Sequence, residues 1–134
     1  MPEIKKWSGL ARPPLFLPSV GRYLQGMIVQ VPLPLWAMQN TPKPEDIHSA
    51  LSDHYAGCLF VSVDKTADSG AIEKLHPEAL NGTNNLRLHV FANNDSEQVV
   101  VIGVIDNLGK GAAGQAVQNM NIILELAEDT GLRV

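Results

Sequence analysis

The residues with the clearest chemical potential lie near the C-terminus. Gly109-Lys110-Gly111-Ala112-Ala113-Gly114 fits the pattern G-x-G-x-x-G. It follows an apolar run and opens a segment of helical periodicity, the setting a dinucleotide-binding turn requires. Glycines let a backbone come close to a ligand, and the free amides of a helix start favour negative charge. The complete fingerprint also needs a second parallel strand and an acidic residue about 20 residues further on. Residues 127–131, Ala-Glu-Asp-Thr-Gly, do not read as a strand, which excludes a free-standing Rossmann unit. Two uses of the motif stay open. The glycines let a helix start pack tightly against a strand, or the backbone amides and Lys110 face an anion or cofactor.

The segment that follows carries Gln115, Gln118, Asn119 and Asn121. Lysine and glutamate would serve a merely solvated face equally well. The amides therefore read either as capping and solvation or as a polar face docking on another domain or subunit. His48, His54, His76 and His89 have no metal-like spacing, and no metal site is expected. His54 lies on an apolar helical stripe and reads as a partly buried packing residue. Cys58 has no basic neighbour in sequence to activate it, so it does not read as a nucleophile. Glu3 follows Pro2 at a helix start, where an acid complements the helix dipole.

The elements that must position these groups follow from periodicity. Residues 26–33 read as a strand with Pro32 near an end or on an edge. Thr41-Pro42-Lys43-Pro44-Glu45-Asp46 is a helix start. Ile47, Ala50, Leu51, His54 and Tyr55 continue it as one stripe, and Gly57 stops it. Residues 59–63 form a second strand. A polar connection from about Asp64 to Asn85 follows, with a short helical candidate near residues 71–75; a connection this long is often a binding loop or an interface element. Residues 86–92 alternate, Asn93 to Glu97 is turn chemistry, and Gln98 to Ile105 is apolar enough to be covered on both faces. These two strands predict an antiparallel hairpin. Lys110 to about Leu126 predicts a helix with Ala113, Ala116, Val117, Met120, Ile123 and Leu124 on one stripe. The order strand, helix, strand, hairpin, helix implies an α+β fold. Its sheet is mixed and mainly antiparallel, with helices on one face.

Composition narrows the function classes. The chain has 134 residues, 45% hydrophobic and 18% charged, which fits one folded domain. A net charge of −4 and 5% aromatic residues give no reason to expect nucleic acid as a partner. No apolar run reaches the roughly 18 residues of a membrane span, so no membrane partner is expected. The N-terminal residues lack a secretory h-region, and a single cysteine suits a reducing compartment. The chain is expected to be cytoplasmic. The doubly apolar strand 99–105 needs cover that two helices alone would not supply. Self-association through the first strand and the 64–85 segment is therefore expected.

Residues 106–121, Asp-Asn-Leu-Gly-Lys-Gly-Ala-Ala-Gly-Gln-Ala-Val-Gln-Asn-Met-Asn, resemble the C-terminal signature of the N-acetyl-gamma-glutamyl-phosphate reductase family. Pro2-Glu3-Ile4 is similar to the end of its H-x-H-x-P-E-I motif. Pro18-Ser19-Val20-Gly21 with Gln25-Gly26-Met27 resembles its shorter-chain branch, and Asn81-Gly82-Thr83-Asn84 resembles its G-[ST]-N loop. The resemblance spans nearly the whole chain. It implies the C-terminal domain of a semialdehyde-dehydrogenase-like enzyme, which is NADP-dependent, acts on a small-molecule substrate in arginine biosynthesis, and is a homo-oligomer. In that family a cysteine thiolate attacks the acyl phosphate, a histidine serves as acid and base, and hydride passes to or from NADP(H).

Residues 1–134 then correspond to a single catalytic and dimerisation domain. The nucleophilic cysteine, the catalytic histidine and the Rossmann domain are expected to precede it. Glu3 maps onto the glutamate that holds the histidine. Asn107 and the turn Gly109, Lys110 and Gly111 map near the nicotinamide. The helix within 107–126 is expected to pack beside the NADP-binding domain. An asparagine amide both donates and accepts, which suits a carboxamide, although Asn107 could equally cap the next helix. As this stretch alone, the chain is expected to be inactive. The rival is a stand-alone α+β dimerisation or ligand-binding module.

Overall fold

A computed structural model describes residues 2–134. The elements are α1 (Pro2–Ser8), β1 (Met27–Pro34), α2 (Pro44–His54), β2 (Val61–Val63), α3 (Thr66–Gly70), β3 (Leu86–Asn93), β4 (Gln98–Ile105) and α4 (Gly114–Ile123). The strands form one sheet in the order β1-β4-β3-β2. β4 pairs antiparallel with β1 and β3, and β2 pairs parallel with β3. The α+β class and the mixed, mainly antiparallel sheet stand as the periodicities imply. The parallel pair accounts for the long connection, because strands running the same way need a crossover.

Register assigns the two faces. Leu33, Val99 and Ala92 are mutual partners, as are Val31, Val101 and Val90. On this face Leu35, Val90 and Val99 form the buried core, and Ile47 and Leu51 of α2 pack against it with Leu33 and Val101. The start of α2 is fixed as its sequence demands. Pro44 occupies the first turn, and the Asp46 carboxylate accepts the Lys43 N–H at 2.8 Å. Beyond the helix Gly57 takes φ +80°, open to glycine at no steric cost. The opposite face carries Arg87, His89, Ile102 and Val104, and part of the 64–85 connection lies over it.

Three smaller expectations change. The short helix in the connection is α3 at Thr66–Gly70, not residues 71–75. His54 is exposed; it stands edge-on to Tyr55 with ring centroids 4.7 Å apart. β4 is fully buried only at Val99, Gly103 and Val104 and half-buried at its other apolar positions. On the α2 side, Met27, Val29 and Val31 of β1 leave a partly exposed apolar row.

The largest departure is α4. Its amides Gln118 and Asn121 are buried, while Ala116, Met120, Ile123 and Leu124 of the expected inward stripe are exposed. Asn121 is 1% exposed and Ile123 78%. The cause is a demand for donors. Asn121 Nδ2 donates to the carbonyls of Glu128 (3.0 Å) and Thr130 (2.9 Å). Gln118 Nε2 donates to Glu128 Oε1 at 2.6 Å. The amide face thus holds the chain's own C-terminal segment, and the apolar face turns outward. Gln115 and Asn119 are exposed, as a solvated face would be.

Candidate functional site

β4 ends at the middle of the sheet edge, and the next residue, Asp106, is buried. Its carboxylate joins three separate segments. Oδ1 accepts the backbone N–H of Leu108 (3.0 Å) and Gly109 (2.9 Å), which caps the turn that follows. Oδ2 accepts the Gly82 N–H at 2.8 Å and the Gln25 side-chain amide at 2.9 Å. Burial by itself would raise this carboxyl. The amides of Gly109, Gly82 and Leu108 and the Gln25 side chain outweigh it and hold the group below the ordinary carboxylate value. Asn107 extends the junction, its Oδ1 accepting the Gly26 N–H at 2.6 Å. Asn81 Nδ2 closes it by donating to the Gln25 carbonyl at 3.2 Å.

The cap is therefore Asp106, not Asn107. Asp106 and Gln25 escape a search for catalytic patterns because they are ordinary residue types. The available signal was local: an aspartate three residues before a glycine at the end of a strand.

The glycine motif divides by position. Residues 109–113 form a single π-turn, with Gly111 N–H donating to the Asp106 carbonyl (2.9 Å) and Ala113 N–H to Leu108 (3.2 Å). The α-helix begins only at Gly114, four residues later than its periodicity predicts. A Cβ at Gly109 would stand 3.0 Å from the Asp106 carboxyl and 3.1 Å from the Thr83 carbonyl, and one at Gly114 would run into Asn84 Oδ1. Both glycines are needed for packing within the chain. Gly111 differs: it is exposed, its φ is unremarkable, and the nearest atom to an added Cβ is Ile105 Cδ1 at 3.5 Å. Nothing within the described residues requires a glycine there.

Lys110 points inward. Its Nζ donates to Gln118 Oε1 at 2.6 Å and lies 5.5 Å from the Phe60 ring centroid. Desolvation lowers the ammonium's pKa, against the opposing pull of Glu128 and Cys58. Gln118 Oε1 also accepts from Asn84 Nδ2 at 2.9 Å, so the lysine is part of the network under α4. Glu3 lies in the first turn of α1. The structure thus places Asn107, Gly109, Lys110 and Gly111 at the one junction after β4. Among the described residues no three His, Cys, Asp or Glu side chains are grouped to hold a metal.

Of the groups expected to meet a nicotinamide, two suit it. Asn107 uses only its carbonyl oxygen, which leaves its NH2 available to donate. Gly111 offers exposed backbone without a side chain in the way. Gly109 serves the turn itself, and the Lys110 side chain serves the network under α4.

The family model for the semialdehyde dehydrogenase dimerisation domain matches residues 1–107. The chain is 47% identical over 133 residues to N-acetyl-gamma-glutamyl-phosphate reductase of Trichormus variabilis, covering 97% of this chain and 41% of that protein. It is equally similar, with the same coverage, to N-acetyl-gamma-glutamyl-phosphate reductase 2 of a Nostoc species. The reductase of Burkholderia ambifaria is 47% identical over 127 residues, covering 95% of this chain and 40% of that protein. The chain spans about two fifths of the length of these curated relatives.

Proposed function

The chain belongs to the semialdehyde dehydrogenase dimerisation-domain family, and we propose that it forms the C-terminal catalytic and dimerisation part of an N-acetyl-gamma-glutamyl-phosphate reductase. The single observation that carries this reading is the identity of 47% over nearly the whole chain to the reductases. The reaction is reduction of N-acetylglutamyl phosphate to its semialdehyde in arginine biosynthesis, in the cytoplasm. NADPH supplies the hydride when bound. The residues of this chain hold and shape the cofactor edge of the site. Asp106 fixes the turn, the Asn107 NH2 donates to the carboxamide, and the Gly111 backbone gives the ring close approach. Gly109 acts through the turn, Lys110 through its bond to Gln118 of α4, and Glu3 orients the catalytic histidine.

Two exposed surfaces support a larger assembly. α4 and the residues after it leave Met120, Ile122, Ile123, Leu124 and Leu126 about half or more exposed. With about half of each side chain's surface still open, covering each would contribute about 1–2 kcal/mol, and the NADP-binding domain is the cover proposed. The apolar row on β1 belongs to the homo-oligomer interface. No helix among the described residues is long and apolar enough to cross a membrane.

The isolated chain tests the division of labour. Light scattering should give at least twice 14.5 kDa, and the chain should show no phosphate-dependent NADP reduction with N-acetylglutamate semialdehyde. A strict monomer would contradict the dimerisation role, and turnover that depends on Cys58 would contradict the need for an upstream nucleophile.

Gly111 separates a cofactor role from a structural one better than Asn107, whose bond to Gly26 makes any substitution there destabilising as well. Gly111→Ala should leave the melting temperature unchanged, or raise stability by up to about 1 kcal/mol, since alanine favours a helical turn. In a complete reductase the same change should lower kcat/KM about tenfold, or about 1.4 kcal/mol. Unchanged kinetics would remove Gly111 from the cofactor site.

A further inference from the structure

The connection between β2 and β3 ties Asn81 and Gly82 into the Asp106 junction and, ahead of them, encloses a space. Residues 72–80 cross the sheet face opposite α2 and leave a cleft of about 220 Å³ over Arg87, His89 and Val104. That is smaller than the roughly 300–1,000 Å³ of sites for drug-sized ligands, so the occupant would be a small metabolite. One side of the cleft is apolar, formed by Ile72, Leu80 and Val104; Leu80 and Val104 are buried. Its rim is cationic, with Lys74 and Arg87 both exposed.

His89 lies in the floor, 3% exposed. Its Nδ1 makes no hydrogen bond; Asp64 Oδ2 stands 3.2 Å away, without the alignment of a hydrogen bond. A buried polar nitrogen left in this state is costly unless something completes its surroundings. Asp64 also lines the cleft, and its charge opposes a second anionic group beside the first.

We propose that this cleft binds a small monocarboxylate with a branched apolar body. The carboxylate pairs with Arg87 and Lys74 at the rim, and the body lies on Leu80 and Val104. Arg87 supplies a planar fork matched to a carboxylate. Asp64 selects against dianions such as phosphate. The proposal does not rest on the reductase reading: its lining residues are other than Asn107, Gly109, Lys110 and Gly111, and the cleft would exist in a non-catalytic module equally.

The test is a titration of the isotope-labelled chain with 3-methylbutanoate, followed by amide NMR. 3-Methylbutanol and inorganic phosphate serve as comparators. Saturable shifts should appear at residues 72–80, 87–89 and 104, with the alcohol and phosphate at least about tenfold weaker. Arg87→Met should weaken the carboxylate about tenfold, or about 1.4 kcal/mol. Arg87 is exposed on the sheet, and Lys74→Met on the connection gives a second variant that leaves every strand intact. Equal binding of the alcohol would reduce the site to an apolar dent, and tighter binding of phosphate to a general cationic patch. Either outcome overturns the proposal, as does an absence of saturation or a set of shifts elsewhere.

Discussion

Asp106→Ala is expected to cost about 3–5 kcal/mol, because it leaves three backbone N–H groups and one side-chain amide without their acceptor. Urea unfolding measures this directly from the midpoint at constant slope. Asp106→Asn should cost less. One amide oxygen can still cap Leu108 and Gly109, but the NH2 then faces two other donors, from Gly82 and Gln25. The carboxyl's pKa is lowered in the folded state, so its contribution is complete above the ordinary value of 3.8 and is lost as pH falls through the lower folded value. The wild-type chain should therefore lose stability below about pH 4 more steeply than Asp106→Asn. Parallel acid limbs for the two proteins would show that the carboxylate is not the junction's charge.

Gly26→Ala is expected to be comparably severe. Gly26 sits at φ +107°, and an added Cβ would run into the Pro77 carbonyl and lie 2.9 Å from Asn81 Oδ1. The obstacle is backbone in a segment already tied to Asp106 through Gly82. Positive φ alone costs about 1–2 kcal/mol, and displacing the backbone should bring the total to at least about 3 kcal/mol. Against a total stability of about 5–15 kcal/mol, that removes roughly a fifth to three fifths of it. Gly57→Ala is the control, since Gly57 also has positive φ but nothing within 4 Å. It should cost only the conformational part. Equal losses at the two positions would mean that the 77–82 segment yields freely.

These two positions show where sequence and structure part. The strand, helix and hairpin order was legible because each element has its own period and punctuation: Pro44 and Asp46 at a start, Gly57 past an end, alternation through residues 86–92. The glycine motif was legible as a close approach of a turn to a strand. What it packs on was not, because Gly82 and Gln25 reach Asp106 from distant parts of the chain. α4 misled for a physical reason. Periodicity says that two faces differ, and the apolar face is inward by default. Here backbone carbonyls at Glu128 and Thr130 need donors, so the amides face in. The excess of amides over lysine and glutamate was the warning, and it pointed to docking, but on the chain's own C-terminal segment. His54 misled in the same way: a place on an apolar stripe did not bury it near a helix end.

The most direct test of the reductase assignment is to replace the matching C-terminal portion of the Trichormus variabilis relative with this chain. Phosphate-dependent NADP reduction is then measured with N-acetylglutamate semialdehyde. The expected result is turnover well above background that is abolished when the cysteine nucleophile contributed by the relative's own portion is replaced. A chimaera that folds, assembles and binds NADP yet shows no turnover would contradict the assignment.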